Sequence, residues 1–175
     1  MPFKKTLCPK KSFDLIRIGK NNDGGYLVDK NSFLNAHELI SLGVNDDWSF
    51  EQESLSLNSK LKIQCFDDKL DIKFLLKKIF FHFLVIFYKF KFRYIKHSLS
   101  NFISYLRLRN KISFKKKYIH YGDLNKIIKK STSKNIFLKI DIEGGEYRIL
   151  NELLINQDQI IGLAIEFHDI DLHQN

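Results

Sequence analysis

One segment near the end of this chain combines a buried strand, a group of acids and the start of a helix. An apolar run over residues 135–140 is followed by Asp141, Glu143 and Glu146, with two glycines among them, and then by helical periodicity. Acids at the end of a buried strand are typical of open α/β sheets, which place ligand sites at the carboxyl ends of their strands. The segment therefore predicts a site at the edge of a mostly parallel sheet.

Further strand and helix patterns alternate along the chain. Strands are predicted over residues 39–44, 61–66, 117–121, 136–141 and 160–167, and helices over residues 48–57, 123–130 and 147–154. Asp123 is the expected N-cap of the second helix. This order implies a parallel sheet with right-handed crossovers. A length of 175 residues allows one domain, residues 1–175, and is too short for two ordinary ones.

Residues 72–117 form a basic insert within this pattern. They contain thirteen Lys and Arg and neither Asp nor Glu, whereas the rest of the chain carries sixteen basic and twenty acidic residues. Residues 74–92 mix lysines with an apolar, aromatic block shorter than the roughly 20 residues that span a bilayer. Three alternatives stay open: a lid packed on the domain, a surface that lies on an anionic membrane, and an RNA-binding face. The membrane is favoured over RNA because the aromatic residues adjoin one another rather than lying among arginines.

The cysteines and the N-terminus indicate a compartment. Cys8 and Cys65 have no metal-binding spacing, so reduced thiols, a cytoplasmic location and no metal site are expected. The first residues are charged but lack the apolar segment of a signal peptide.

A glycine and several acids follow the first two predicted strands. Gly43, in residues 41–47, allows backbone to approach a ligand, but Asn45 and Asp47 stand where a dinucleotide loop has further glycines. Acids in this loop disfavour a diphosphate. Asp67 ends the second strand, where nucleotide-binding α/β folds place an acid on ribose hydroxyls. Each segment alone also fits an ordinary turn, but together they indicate an adenosine-type ligand.

The acids after the fourth strand are candidates for chemistry. Asp141 and Glu143 leave a buried strand toward a cleft and could be bases, ammonium binders or metal ligands. Glu146 fits better as an early-helix acid that stabilises the helix dipole. His168 follows the fifth strand, and a base, a ligand and a structural histidine all fit it.

These segments resemble the FkbM-type methyltransferases, which depend on S-adenosylmethionine. Residues 139–146, Lys-Ile-Asp-Ile-Glu-Gly-Gly-Glu, are similar to the family hallmark K-[IMV]-D-[IV]-E-G-x-E. Further blocks resemble a related branch of methyltransferase-like domains, at residues 17–19, 23–26, 41–44, 49–51 and 165–168. The blocks occur in the expected order over most of the chain.

The resemblance implies a Rossmann-like class I methyltransferase fold, a three-layer α/β sandwich with a mostly parallel sheet of about five strands. It implies S-adenosylmethionine as cofactor and O-methylation of a hydroxyl on a small-molecule, sugar or glycan-like acceptor. The implied cofactor-binding residues are Gly43, Val44, Asn45, Asp67, Asp68 and Asp141. The catalytic candidates are Asp141, Glu143 and His168, in that order.

Two features depart from the family pattern. A complete class I fold has seven strands, whereas five are predicted here, which would leave the fifth strand with an exposed edge. The basic insert is the second departure, and an anionic membrane is its favoured partner, with nucleic acid less favoured. A catalytically inactive binding module and an RNA methyltransferase are therefore alternatives. A nicotinamide oxidoreductase is disfavoured by the single-glycine loop.

Overall fold

The structure, a computed structural model, describes residues 13–21, 24–89 and 92–169, and side chains within these ranges except those of residues 86–89 and 92–93. The strands are β1 (Leu15–Ile18), β2 (Tyr26–Asp29), β3 (Glu38–Leu42), β4 (Lys62–Asp67), β5 (Ile112–Lys116), β6 (Ile136–Ile140) and β7 (Ile160–Ile165). The helices are α1 (Lys30–Leu34), α2 (Ser49–Leu57), α3 (Ile72–Lys89), α4 (Phe92–Leu108), α5 (Asp123–Lys130) and α6 (Leu150–Ile155). Cys8, which is expected to be a reduced thiol, and Asp23, of the block at residues 23–26, lie outside the described ranges.

Five strands form a parallel sheet in the order β5-β4-β3-β6-β7. The central strands β3 and β6 are buried at every position, as expected for parallel strands covered on both faces. Successive residues point to opposite faces, so Leu39 joins the core beneath α2 and α4, whereas Ile40 joins the core beneath α5. The predicted α/β fold with a parallel sheet is confirmed, and it directs the carboxyl ends of β3, β4 and β6 to one edge.

The third predicted strand is wrong in position. Residues 117–120 are not a strand, and β5 covers Ile112–Lys116 instead. Ile112 and Phe114 of β5 join the core beneath α2 and α4. The rings of Phe114 and Trp48 meet edge to face, with their centroids 5.9 Å apart. Ile112 and Phe114 alternate with exposed residues as in a strand, but the three lysines that follow Phe114 interrupt this apolar pattern in the sequence.

Two helix starts also differ from the sequence prediction. Gly122, in the left-handed region at φ 83°, caps α5 in place of Asp123, whose carboxylate accepts the His120 N–H at 3.1 Å instead. The last predicted helix begins with a 3₁₀ turn, Glu146–Ile149, before α6.

An N-terminal unit that the sequence did not predict lies beside β7. Strands β1 and β2 form an antiparallel hairpin, and both β2 and α1 pack against β7. β7 is the edge strand of the five-stranded sheet and its residues are mostly half-buried. The strand expected to be exposed therefore has tertiary neighbours from the start of the chain.

Most of the basic insert forms the helix pair α3 and α4, which pack against each other and on the domain. The last part of the range 72–117 belongs to the sheet instead, as β5. Trp48 donates its indole N–H to Ser104 Oγ at 3.0 Å, and Asn101 Nδ2 donates to the Asp46 carbonyl at 2.8 Å. Lys78 forms an ion pair with the Asp46 carboxylate. None of the helices within the described ranges combines the length and the apolarity needed to cross a bilayer.

Phe33 connects the N-terminal unit to the sheet and provides a test of the packing. Its fully buried ring lies 5.1 Å from that of Phe137 and 6.2 Å from that of Phe50, centroid to centroid. Phe33→Ala should lower the free energy of unfolding by about 3–5 kcal/mol because it leaves a cavity. The control is Leu34→Ala in the same helix, which is 42% exposed and should cost less than about 1 kcal/mol. Equal losses in chemical denaturation would contradict the packing described here.

Candidate functional site

A cavity of about 550 Å³ opens at the carboxyl ends of β3, β4 and β6. All of the residues predicted from sequence as cofactor-binding or catalytic line it: Gly43, Val44, Asn45, Asp67, Asp68, Asp141, Glu143 and His168. The parallel topology brings them together because each is the last residue of a strand or follows one, and these strands all end at the same edge of the sheet.

Gly43, directly after β3, lies against the backbone of Asp141, directly after the neighbouring strand β6. Its φ is +75°, and a Cβ at this position would lie 1.6 Å from the Asp141 carbonyl oxygen. The Gly43 N–H donates to the Phe66 carbonyl at 2.9 Å, and the Asp141 N–H donates to the Leu42 carbonyl at 2.9 Å. Glycine is thus required here by both backbone conformation and space.

Asp67 orders the loop between β3 and α2. Its Oδ2 accepts the N–H groups of Val44 at 3.1 Å and Asn45 at 2.8 Å, and its Oδ1 accepts the Lys69 N–H at 2.7 Å. Asn45 is held at a φ of +49°, which is uncommon for a residue other than glycine. The acid predicted to bind ribose therefore also shapes the cavity wall by bonding to its backbone.

Tyr26, from β2, joins two carboxylates at the cavity. Its hydroxyl lies 3.0 Å from Asp141 Oδ2 and 3.0 Å from Glu166 Oε2. Burial and these two carboxylates raise the pKa of Tyr26, so the phenol keeps its proton. One hydroxyl hydrogen can serve only one carboxylate at a time. Burial also raises the pKa of Asp141, and the nearby charge of Glu166 adds to this effect.

Lys139 places a buried positive charge close to Tyr26 and Asp141. Its Nζ donates to the Gly43 carbonyl at 3.3 Å and lies 5.1 Å from the centroid of the Tyr26 ring. Its charge favours the ionised form of Asp141 and so opposes the effect of burial on that pKa. The burial of the Asp141 side chain outweighs this attraction.

His168 is held against the acids by a buried carboxylate. Its Nδ1 lies 3.2 Å from Glu146 Oε1, and its Nε2 lies 3.8 Å from Asp141 Oδ1 and 3.7 Å from Glu143 Oε2. Burial lowers the pKa of His168, but the hydrogen bond to Glu146 and the three negative charges outweigh it and raise that pKa. Glu146, which also accepts the Ile142 N–H at 2.9 Å, thus orients the imidazole.

Three side chains could also hold a metal ion. Donor atoms of Asp141, Glu143 and His168 lie within 4.8 Å of one another, and Glu143 has a φ of +51°. The sequence prediction of no metal site rested on the cysteine spacing, although Asp141, Glu143 and His168 were each possible ligands.

Several residues of the cavity region were not identified from the sequence as site residues. Tyr26 and Glu166 reach Asp141, Lys139 lies beneath them, and His97 of α4 lines the opening. Tyr26 carried one signal, since it is a polar aromatic residue directly after two glycines. His97 carried none, because nothing in the sequence indicates how α4 packs relative to the sheet.

The family of this chain follows from a comparison with protein-family models. Residues 26–174 match the model described as the methyltransferase FkbM domain, and this range includes Tyr26 and the cavity residues from Gly43 to His168. No match was found among curated proteins or among solved structures. Because the match covers most of the chain, this protein belongs to the FkbM methyltransferase domain family.

Proposed function

We propose that this chain binds S-adenosylmethionine and transfers its methyl group to a hydroxyl oxygen of a small-molecule, sugar or glycan-like acceptor. The observation that carries the proposal is the acid-lined cavity at the carboxyl ends of β3, β4 and β6 in a chain of this family. S-adenosylmethionine, when bound, supplies a methyl group activated by a positively charged sulfur. A cytoplasmic location is part of the proposal and is supported by the low cysteine content, with Cys65 buried and free.

The side chains of the cavity fit this cofactor. Phe66, Tyr118 and Ile119 provide aromatic and apolar surface at the wall, which suits an adenine ring. Asp141 and Glu166 provide negative charge, which suits a sulfonium and an amino group. The loop at Gly43 offers no glycine-rich diphosphate cradle, and this cofactor has no phosphate. The lining residues therefore agree with the ligand in charge and in apolar character.

Asp141 is the proposed base for the acceptor hydroxyl. Its carboxylate lines the cavity, and burial raises its pKa, which strengthens it as a proton acceptor compared with an exposed carboxylate. Tyr26 fixes one carboxylate oxygen at 3.0 Å and leaves the other, Oδ1, facing His168 at 3.8 Å. Removal of the hydroxyl proton by Asp141 would make the acceptor oxygen a better nucleophile, and the proton would remain on the carboxylate.

His168 and Glu143 have supporting roles in this proposal. Glu146 fixes the imidazole so that its Nε2 lies 3.8 Å from Asp141 Oδ1, where the charge of a protonated imidazole stabilises the Asp141 carboxylate. The Glu143 side chain is 82% exposed and well solvated, so it is not assigned the role of base. Most of the rate acceleration in such a transfer comes from holding the two reactants in line, which the rigid ends of the strands provide.

Calorimetry with S-adenosylmethionine tests the binding step. The unmodified protein should bind, and Asp67→Ala should weaken binding by roughly tenfold or more because it leaves the N–H groups of Val44 and Asn45 without their acceptor. The control is Asp71→Ala, a nearby acid that pairs with Lys116, accepts the Lys73 N–H at 3.2 Å and does not line the cavity.

Lack of binding by the folded, unmodified protein would rule out this proposal. Binding of the cofactor without methyl transfer to any hydroxyl acceptor would instead support the inactive binding module. Equal weakening in Asp67→Ala and Asp71→Ala would contradict the role assigned to the loop.

A further inference from the structure

One side of α3 carries an apolar stripe that faces away from the domain. Leu76, Phe80 and Leu84 follow one another at intervals of four residues and therefore lie on the same side of the helix. They are 50%, 63% and 48% exposed, and the adjacent Phe81 is 61% exposed. Leu75, on the opposite side, is buried in the core. A helix that packed only as a lid would not need this second apolar side.

The charge around this stripe has a single sign. Residues 72–108, which span α3 and α4, contain eight basic and no acidic residues. Lys73 and Lys77 are exposed on α3 beside the stripe, and Lys96 and Arg107 are exposed on α4. The helix pair thus combines exposed apolar surface with positive charge, which complements an anionic surface with an apolar interior.

We propose that the outer side of α3 docks on an anionic membrane surface. Leu76, Phe80 and Leu84 enter the boundary between headgroups and acyl chains, while Lys73 and Lys77 contact the headgroups. An RNA ligand would use the lysines and can stack a base on Phe80, but it would leave Leu76 and Leu84 in water. The stripe therefore favours lipid, an inference that goes beyond the proposed activity.

The same helices reach the cavity. Lys78 and Asn101 bind Asp46 in the loop that follows β3, and His97 of α4 lines the cavity. Docking through α3 therefore brings the opening close to the membrane surface. If the proposed methyl transfer is correct, this arrangement presents acceptors carried on that surface to the site.

Vesicle flotation with the full chain tests the docking. The protein should float with vesicles containing about 30% phosphatidylserine and much less with phosphatidylcholine alone, because lysines near the surface contribute to binding. Phe80→Ser/Leu84→Ser should reduce the bound fraction about tenfold. The matched control is Leu154→Ser/Ile155→Ser, which removes two apolar side chains that are 66% and 68% exposed on α6, and it should float like the unmodified protein.

A second variant separates the charge from the apolar contact. Lys73→Gln/Lys77→Gln should lower binding to the phosphatidylserine vesicles several-fold and make it less sensitive to salt. Failure of the unmodified chain to float, or equal loss in the α6 control, would overturn the proposal. Binding to RNA that depends on the lysines but not on Phe80 and Leu84 would also overturn it. Calorimetry with S-adenosylmethionine on the same variants should be unchanged, since none of these residues lines the cavity, so failure of docking is distinguishable from failure of the proposed activity.

Discussion

Replacing Gly43 by alanine should lower the free energy of unfolding by more than about 4 kcal/mol, or prevent folding. Two costs add at this position. A side chain at a φ of +75° costs about 1–2 kcal/mol, and the new methyl group would meet the Asp141 carbonyl oxygen at 1.6 Å. That oxygen belongs to the backbone at the end of the central strand β6, so it cannot move aside as a flexible side chain would. Thermal and chemical denaturation measure the loss.

Gly122→Ala is the matched control for this substitution. Gly122 has a similar φ of +83°, but a Cβ there would have nothing within 4 Å. It should therefore cost only the conformational term, about 1–2 kcal/mol. A similar loss in both variants would show that the contact between Gly43 and Asp141 is not the cause. Unchanged stability in Gly43→Ala would contradict the close contact between the backbones of Gly43 and Asp141 at the ends of β3 and β6.

Asp141→Asn should lower turnover by about 10²- to 10⁴-fold while S-adenosylmethionine binding is largely kept. The amide has the same shape as the carboxylate and can still accept the Tyr26 hydrogen bond, but it cannot take a proton. Turnover is measured as release of S-adenosylhomocysteine with a hydroxyl acceptor on which the unmodified protein is active. Calorimetry measures cofactor binding, and the melting temperature confirms that the variant is folded.

Glu143→Gln is the control for the role of Asp141. Glu143 lies in the same loop and within 3.7 Å of His168, but its side chain is mostly exposed, so turnover should fall by less than about tenfold. A larger loss in Glu143→Gln than in Asp141→Asn would reverse the two roles. If Asp141→Asn lost cofactor binding as completely as Asp67→Ala, the division between binding and catalytic residues would be wrong.

The sheet was predictable from sequence where strands are buried on both faces. β3 and β6 are continuous apolar runs because helices cover both of their sides, so their positions were found within two residues. β5 was placed five residues too late because it is an edge strand whose exposed positions carry lysines. The hairpin of β1 and β2 was not predicted, since each strand has only four residues and partly exposed side chains.

By itself, the sequence determined which residues the cavity would contain at the strand ends. Acids and glycines that interrupt apolar runs mark those ends, and parallel topology then gathers them on one edge. Only the tertiary structure decided how these residues interact. It brought Tyr26 from the N-terminal hairpin to Asp141 and Glu166, set Glu146 behind His168, and turned the Asp67 carboxylate toward its own loop. These contacts join segments far apart in the chain, and their distances depend on the packing of the whole fold rather than on any local pattern.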